Sequence, residues 1–271
     1  MLQHARGFSF STPYFCCVKQ FRPQHRPKKS TLLSGVKKIE AAIEEGRQID
    51  RIYLQTNGSR EVHEVLKKLA LQHRIPVNYV PVEKLNGFNI GEHEGCVAVL
   101  SKVQYHELQN IISWVTESGD VPLFLILDGI TDIRNIGGIA RTAFCTGVQA
   151  LIIPDKGVGA LNEDAILTSA GALEKIAVCR VTSLMKAVDE LHLNGIAVFA
   201  SEMTAQKTLH TLDFRPPAAI VMGSEERGIH PALARICDEQ FKIPMQGGFE
   251  SLNVSVATGM ILYEAMKQRM Q

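Results

Sequence analysis

The sequence lacks the long apolar runs of a membrane protein. Its apolar stretches, of which Leu123–Leu127 is typical, have the length of a β-strand, whereas a transmembrane helix needs about 20 apolar residues. Hydrophobic residues nevertheless make up 45% of the 271 positions, which is enough to bury a core in each of two domains. We therefore expect a globular protein with no membrane role.

Cysteines at the spacing of metal ligands are also lacking. The six cysteines form no Cys-x-x-Cys motif and have no histidine nearby at ligand spacing: Cys16, Cys17, Cys96, Cys145, Cys179 and Cys237. The adjacent Cys16 and Cys17 could be redox-active, although two unpaired thiols are the simpler interpretation. We expect reduced thiols, a cytoplasmic protein and no metal site.

A strong overall charge is absent as well, since the formal net charge is only +1. Residues 1–30, however, contain six basic side chains and no acidic one. We expect this basic extension to be disordered. It could be an arm that binds RNA, an organellar transit peptide, which would change the expected localisation, or the product of a wrongly assigned start.

Residues 31–102 have the pattern of a small α/β domain. Helical periodicity covers Val36 to Glu45, and a second helix follows Ser59, a plausible N-cap, and stops before Pro76. Strands are predicted at Arg51–Gln55, Val77–Val80 and Cys96–Leu100. Residues 103–121, which include the only tryptophan, Trp114, are expected to form a linker with one helix.

Residues 122–271 alternate between strand and helix patterns. The predicted strands include Leu123–Leu127, Ala150–Ile153, Ala218–Met222 and Gln240–Ile243. Continuously apolar strands separated by helices predict a doubly wound parallel sheet that is covered on both faces. Ligands of such sheets bind at the carboxyl ends of the strands, which directs attention to three loops.

The first loop, after Leu127, leads into a predicted helix that starts at Gly138 and contains Arg141. Its Asn135 has two interpretations, an ordinary helix N-cap and a functional residue. A guanidinium near a helix N-terminus can bind a phosphate through two hydrogen bonds, which favours a functional role for Arg141. The loop lacks the Gly-x-Gly-x-x-Gly fingerprint of dinucleotide-binding proteins.

The second loop follows Met222 and contains Gly223, Glu225 and Gly228. The glycines suit a turn that presents backbone groups to a ligand. Glu225 could orient a hydroxyl group at the edge of the sheet, but without other information a carboxylate at a helix start is the commoner explanation.

The third loop leaves the sheet near Ile243, because Pro244 cannot donate to a strand ladder. Ser251, Asn253 and Ser255 then precede or begin a helix that runs to about Arg269. This helix carries two apolar stripes, which are Leu252, Val256, Met260 and Tyr263 on one side and Val254, Ala257, Ile261 and Ala265 on the other. A helix that is apolar on two sides is typical of a dimer interface.

Together, the three loops resemble the motifs of the SpoU, or TrmH, family of RNA ribose 2′-O-methyltransferases. The resemblance covers roughly residues 34–269: Asn135 and Arg141 match the first motif, the second loop matches the second, and Ile243-Pro244-Met245 with residues 251–255 match the third. The small domain at residues 31–102, which precedes the three motifs, is similar to the ribosomal-protein-like substrate domain of the large-subunit ribosomal RNA guanosine methyltransferases. One departure is Ile133-Arg134, where Pro-His is commoner in the family.

The resemblance implies a deep trefoil knot, a homodimer, RNA as the substrate and S-adenosylmethionine as the methyl donor. It implies that the donor contacts five residues, which are Met222, Gly223, Ile243, Met245 and Leu252. General topology rules alone would argue against a knot.

The mechanism we expect from the resemblance requires no metal. Arg141 binds an RNA phosphate and steers the hydroxyl, whose proton passes to the phosphate or to a transiently neutral Arg141, while Asn135, Glu225, Ser251 and Asn253 hold the geometry. Three alternatives stay open: a transfer RNA substrate, a non-catalytic RNA-binding or ribosome-assembly factor, and a nucleotide-dependent enzyme of another kind.

Overall fold

Two separate β-sheets organise the chain in the computed structural model, which describes residues 32–159, 161, 163–247 and 251–270. The basic extension predicted for residues 1–30 lies outside the described residues. Both sheets combine with helices, which confirms the predicted α/β class.

The small sheet has four strands in the order β1-β4-β2-β3, and only β2 and β3 are parallel. Helices α1 and α2 cover one face, and α3 covers the other. The element bounds are β1 Leu32–Ser34, α1 Val36–Glu44, β2 Ile49–Gln55, α2 Arg60–Gln72, β3 Val77–Val80, α3 Val82–Asn86 and β4 Cys96–Leu100. Ser59 occupies the N-cap position of α2 as predicted, although its side chain makes no capping hydrogen bond.

The large sheet has eight strands, all parallel, in the order β10-β12-β9-β11-β6-β7-β8-β5. Its strands are β5 Tyr105–His106, β6 Leu123–Asp128, β7 Ala150–Pro154, β8 Ala177–Val181, β9 Ala197–Ser201, β10 Lys207–Thr208, β11 Ala218–Gly223 and β12 Glu239–Lys242. Its helices are α4 Leu108–Glu117, α5 Ile133–Cys145, α6 Glu163–Thr168, α7 Leu184–Leu193, α8 Pro231–Ile236 and α9 Val254–Arg269.

Helices lie on both faces of the large sheet. Buried residues of α5, α6 and α9 form one core with the sheet, and buried residues of α4, α7 and α8 form a second core on the opposite face. This arrangement confirms the doubly wound parallel sheet, while the trefoil knot stays a prediction. Among the described helices, none has both the length and the apolar character needed to cross a bilayer.

Three short strands and one helix start differ from the sequence prediction. The strands β1, β5 and β10 have two or three residues each, too few to show a hydrophobic period. Helix α5 begins at Ile133 rather than Gly138 because Asp132 caps it. The sequence did not show this start because Gly137 and Gly138 have a low helix propensity. Gly137 is nevertheless required for packing, since a Cβ there would lie 2.3 Å from the Thr168 hydroxyl.

The last turn of α9 is fixed to the amino-terminal edge of the sheet by Arg269. Its guanidinium donates hydrogen bonds of 2.7–2.9 Å to four backbone oxygens, those of Phe214, Val121, Pro122 and Pro216. Burial lowers the pKa of Arg269 to about 10, so the side chain stays protonated at neutral pH. The Arg269 guanidinium thus joins α9 to the segments that precede β6 and β11.

Candidate active site

The three loops singled out in the sequence meet at one edge of the large sheet. Because every strand in this sheet is parallel, all the carboxyl ends lie on the same side. Strands β6 and β11 end together, with Gly223 directly opposite Asp128. In open α/β folds this edge is where ligands bind.

Side chains from the three loops form a hydrogen-bonded cluster at this edge. Asn253 Nδ2 lies 2.7 Å from Glu225 Oε1 and 3.0 Å from Asn135 Oδ1. Asn135 Nδ2 donates to the same Glu225 oxygen at 3.2 Å, and the backbone N–H of Val254 donates to it at 3.3 Å. We call Asn135, Glu225 and Asn253 the edge cluster. It joins residues 90 and 118 positions apart in the chain.

Two glycines give the turn around Glu225 its shape. The turn is closed by a pair of backbone hydrogen bonds between Ser224 and Gly228. Gly228 has φ +65°, in the left-handed region that favours glycine. A Cβ on Gly223 would lie 2.1 Å from the backbone of Gly228, so any larger residue would force the turn open. The predicted turn function of these glycines is confirmed by the structure.

Of the two structural interpretations that competed with a functional one, that of Asn135 is wrong, and that of Glu225 holds for a different helix. Asn135 is not an N-cap, because Asp132 caps α5 by accepting a hydrogen bond from the backbone N–H of Arg134 at 2.8 Å. Glu225 does not start its own helix, because α8 begins only at Pro231. Its carboxylate instead lies at the N-terminus of α9, where the helix dipole stabilises a negative charge.

Asn253 combines a structural and a cluster position. It is the N-cap of α9, and its Oδ1 accepts hydrogen bonds from the backbone N–H groups of Ser255 and Val256 at 3.0 and 3.4 Å. Its Nδ2 is thereby left to point to Glu225 and Asn135. The helix start therefore fixes the orientation of the amide that completes the cluster.

The structure does not bring Arg141 or Ser251 into this cluster. Arg141 is exposed on α5, and its guanidinium has no hydrogen bond or salt bridge with any described residue. Ser251 is exposed as well and lies on the rim of a neighbouring cavity. A charged group without a protein partner is free to bind a ligand.

The cavity beside the edge cluster has a volume of about 160 Å³. All five residues expected to contact S-adenosylmethionine line it, namely Met222, Gly223, Ile243, Met245 and Leu252. Glu225 lines it too, so the edge cluster and the cavity share a wall.

The end of β9 contributes three lining residues that the sequence reasoning missed, Ser201, Glu202 and Met203. Burial raises the pKa of the Glu202 carboxyl group, and a hydrogen bond from the Ile229 backbone opposes that effect. Their position after β9 could have revealed them. β9 is parallel to its neighbours, so the residues that follow it lie at the same edge of the sheet.

The chemistry of this cavity fits S-adenosylmethionine. The side chains of Met222, Ile243 and Leu252 form an apolar wall against which the adenine base of the cofactor can pack. Carboxylates of Glu202 and Glu225 can accept hydrogen bonds and balance a cationic sulfonium. Within the described ranges, no group of three or more His, Cys, Asp or Glu side chains is arranged to hold a metal.

The departure Ile133-Arg134 lies at the same edge. The Arg134 guanidinium meets the Asp132 carboxylate at 3.0 and 3.3 Å, and its side chain is 81% exposed. The pKa of Asp132 is lowered by these hydrogen bonds. Arg134 therefore contacts the residue that caps α5 and does not contact the edge cluster.

The fold and the site define an α/β protein with a candidate ligand site at the carboxyl edge of a parallel sheet. Residues 122–263 match the SpoU rRNA Methylase family, and residues 32–106 match the RNA 2′-O ribose methyltransferase substrate binding family. The chain therefore belongs to the SpoU rRNA methylase family. It is an S-adenosylmethionine-dependent RNA 2′-O-methyltransferase.

Individual relatives are similar along most of their length. The chain is 36% identical over 236 residues to the Pseudomonas aeruginosa 23S rRNA (guanosine-2′-O-)-methyltransferase RlmB, covering 87% of this chain and 95% of that one. It is 32% identical over 235 residues to the putative TrmH family tRNA/rRNA methyltransferase YacO of Bacillus subtilis, covering 87% and 94%. Among solved structures, the SpoU methyltransferase AviRb of Streptomyces viridochromogenes in complex with AdoMet has a TM-score of 0.56 and 26% identity, covering 88% and 90%.

Proposed function

We propose that the protein methylates the ribose 2′-hydroxyl of a guanosine in large-subunit ribosomal RNA. The observation that carries the chemistry is the edge cluster, which shares Glu225 with the cofactor cavity. The choice of RNA is supported by the substrate-binding family match at residues 32–106 and by the similarity to RlmB over 95% of its length.

The methyl group comes from S-adenosylmethionine, whose sulfonium makes it reactive toward a hydroxyl oxygen. The protein must align that hydroxyl and remove its proton. In the proposed mechanism Glu225 fixes the amides of Asn135 and Asn253, since one of its oxygens accepts hydrogen bonds from both. The two amides and Ser251 then orient the ribose beside the cavity.

Arg141 is proposed to bind the RNA phosphate next to the reacting ribose. A guanidinium stays protonated under ordinary conditions and is therefore a better anion ligand than a base. Its exposure and its lack of a protein partner in the described chain leave it free for this role. The proton passes to the bound phosphate or to an Arg141 that is transiently neutral.

Mapping of ribose methylation by mass spectrometry tests the substrate. In cells that lack the gene, we expect one 2′-O-methylguanosine to disappear from large-subunit ribosomal RNA and to return with the wild-type gene. An Arg141→Ala gene should not restore it, although the purified variant should bind the cofactor normally. Loss of a mark from transfer RNA alone would contradict the proposed substrate, and normal turnover by Arg141→Ala would contradict the proposed role.

We also propose that the enzyme is a homodimer that associates through α9. Val254, Ile261 and Ala265 on this helix are buried in the core, whereas Val256, Met260 and Tyr263 are 53%, 45% and 61% exposed. These three residues recur at helical spacing and form one apolar stripe on the outer face. The stripe lies on α9, whose N-cap is Asn253 of the edge cluster, so a second copy bound to the N-terminal part of the stripe lies close to that cluster.

A charge on the stripe tests the dimer. We expect Met260→Lys to convert the protein to a monomer in size-exclusion chromatography with light scattering. Leu193→Lys, at an apolar position that is 88% exposed on α7, is the control and should leave the mass unchanged. A wild-type protein with the mass of one chain would overturn this proposal.

A further inference from the structure

The two sheets are joined by a buried cluster of charged and polar side chains that shares no residue with the edge cluster. Asp50 lies on β2 of the small sheet, and Arg180 lies on β8 of the large sheet. Their side chains are 2% and 8% exposed. Arg180 donates to the Asp50 carboxylate and, at 2.6 Å, to the Asp50 backbone oxygen. Tyr105 and Arg51 complete this inter-sheet cluster.

The inter-sheet cluster contains more positive than negative charge. Two guanidinium groups, those of Arg51 and Arg180, share the single carboxylate of Asp50. The Tyr105 hydroxyl donates to Asp50 at 2.7 Å, and burial raises the pKa of Tyr105, so its hydroxyl is neutral. A net positive charge therefore lies buried between the sheets, where it is costly without an anion.

One polar atom of this cluster has no partner. Arg180 Nε is buried and makes no hydrogen bond with the described residues, although both terminal nitrogens of the guanidinium donate to Asp50 and one also donates to Tyr105. Buried polar groups are nearly always paired with protein, water or ligand. The unpaired N–H and the excess positive charge together suit a hydrogen-bond acceptor or an anion beside this guanidinium.

A cleft of about 460 Å³ adjoins the cluster and is lined by Arg180 itself. The small sheet and its helices contribute Arg47, His73 and Arg74 to the lining, and the segment after β5 contributes Glu107. Three arginines thus face the cleft against one carboxylate. Glu107 is paired with Arg74 on the exposed rim, where both side chains are more than half exposed.

Arg47 and Arg74 follow the ends of α1 and α2, where a cation can simply satisfy the helix dipole. Their side-chain contacts show that neither arginine is bound to the carbonyl oxygens at the helix end. Arg47 has no side-chain hydrogen bond or salt bridge with any residue in the described part of the chain, and Arg74 is bound to Glu107 rather than to carbonyl oxygens. Arg47 is therefore available to a ligand in the cleft.

We propose that this cleft binds a backbone phosphate of the substrate RNA, with Arg47 and Arg180 as its principal ligands. The inference rests on the proposed function, since it deepens how the RNA is held. Guanidinium groups suit this ligand because their planar N–H donors match phosphate oxygens.

The cleft is placed so that one RNA can reach both it and the edge cluster. Arg180 lies opposite Ile153 in β7, and the same row of the sheet continues through Leu127 to Met222 in the cofactor cavity. Three strand spacings separate the ends of this row, a distance of about 15 Å. Both sites are at the carboxyl edge of the large sheet.

Binding of a labelled oligouridylate over a series of salt concentrations tests the cleft, because this probe offers a phosphate backbone without a methylation sequence. We expect Arg47→Gln to weaken binding by about tenfold and to reduce the slope of log affinity against log salt by about one. Arg47→Glu should weaken it further. Arg60→Gln, an exposed arginine on α2 that is paired with Glu64, is the control and should bind as the wild type does.

The measurement separates this proposal from the proposed function. Unchanged affinity and slope in both Arg47 variants would overturn the cleft, whether or not the wild type methylates ribosomal RNA. Weakened RNA binding with normal S-adenosylmethionine affinity and an unchanged urea-unfolding midpoint would support it. Failure of the proposed function would appear instead as a wild-type enzyme that adds no methyl group to unmodified ribosomal RNA.

Discussion

Two polar clusters at the same sheet edge are built in opposite ways. The edge cluster consists of two neutral amides and one carboxylate, and both Glu225 and Asn253 are exposed. The inter-sheet cluster consists of charged groups, and Asp50 and Arg180 are almost fully buried. Exposed hydrogen bonds can be exchanged for bonds to a ligand at little cost, whereas breaking a buried ion pair leaves an uncompensated charge.

This difference assigns different consequences to mutation in the two regions. A change at Asn135 or Glu225 in the edge cluster is expected to affect turnover and to leave folding nearly intact, whereas Asn253 also caps α9. A change in the inter-sheet cluster is expected to affect stability first, because Asp50 and Arg180 are almost fully buried and Asp50 is held by two guanidinium groups. Mutations in each region therefore test whether the distinction holds.

The largest expected effect is on stability in an Arg180→Ala variant. Removing this guanidinium leaves Asp50 buried with only Arg51 beside it, so we expect a loss of about 3–5 kcal/mol in the free energy of unfolding. Urea denaturation followed by circular dichroism measures it. Replacing all three charged members with apolar residues, Arg180→Met with Asp50→Leu and Arg51→Met, should restore most of the loss, because no charge is then left without a partner. A loss below about 1 kcal/mol in the single variant, the level of a surface pair, would show that the pair is not buried as described.

The next effect is on catalysis in a Glu225→Gln variant. One oxygen of Glu225 accepts three N–H groups, and hydrogen bonds to a charged acceptor contribute about 1.5–3 kcal/mol each. We expect kcat to fall about tenfold to a hundredfold, with a small change in the unfolding midpoint. The neighbouring exposed Glu226→Gln is the matched control. Equal rates for the two variants would contradict the assigned role of Glu225.

The sequence was sufficient to predict that the three loops meet at one edge, but it grouped Arg141 and Ser251 with the edge cluster and did not predict the inter-sheet cluster. Asn135, Glu225 and Asn253 lie in loops after predicted strands, so the parallel-sheet rule brings them to one edge. Arg180 is the single charged residue of β8, and Tyr105 lies in a two-residue strand within the predicted linker. Their partner Asp50 is on the other sheet, and no local pattern encodes a contact 130 residues away.

Local rules also failed at helix starts. Asn135 has the residue type of an N-cap, but Asp132 three positions earlier has it too, and the sequence alone does not choose between them. Tertiary packing decides, because Gly137 must approach Thr168 of α6 closely and so belongs inside α5. The position of α5 in turn directs Asn135 to Glu225.

A smaller effect is expected from acid. Burial raises the pKa of Asp50, but Arg180 and Arg51 outweigh it and hold the pKa below its ordinary value. The carboxylate therefore stabilises the folded state above about pH 4, the region of a free aspartate, and this contribution is lost as pH falls through the lower folded-state pKa. We expect the unfolding midpoints of wild type and Asp50→Asn to differ at pH 7, and we expect this difference to shrink progressively as the pH falls below about 4. A constant difference down to pH 2.5 would contradict this linkage.

The smallest effect is expected at a second Arg–Asp pair, which has the same chemistry as the inter-sheet pair but is exposed. Arg134 and Asp132 are 81% and 38% exposed, so water already solvates both charges and their attraction is screened. We expect Arg134→Ala to leave the urea midpoint unchanged within error, since Asp132 still caps α5 through the backbone N–H of residue 134. Asp132→Ala removes that cap as well and should lower the midpoint measurably. If Arg134→Ala destabilised the protein as much as Arg180→Ala, burial would not be the property that separates the two regions.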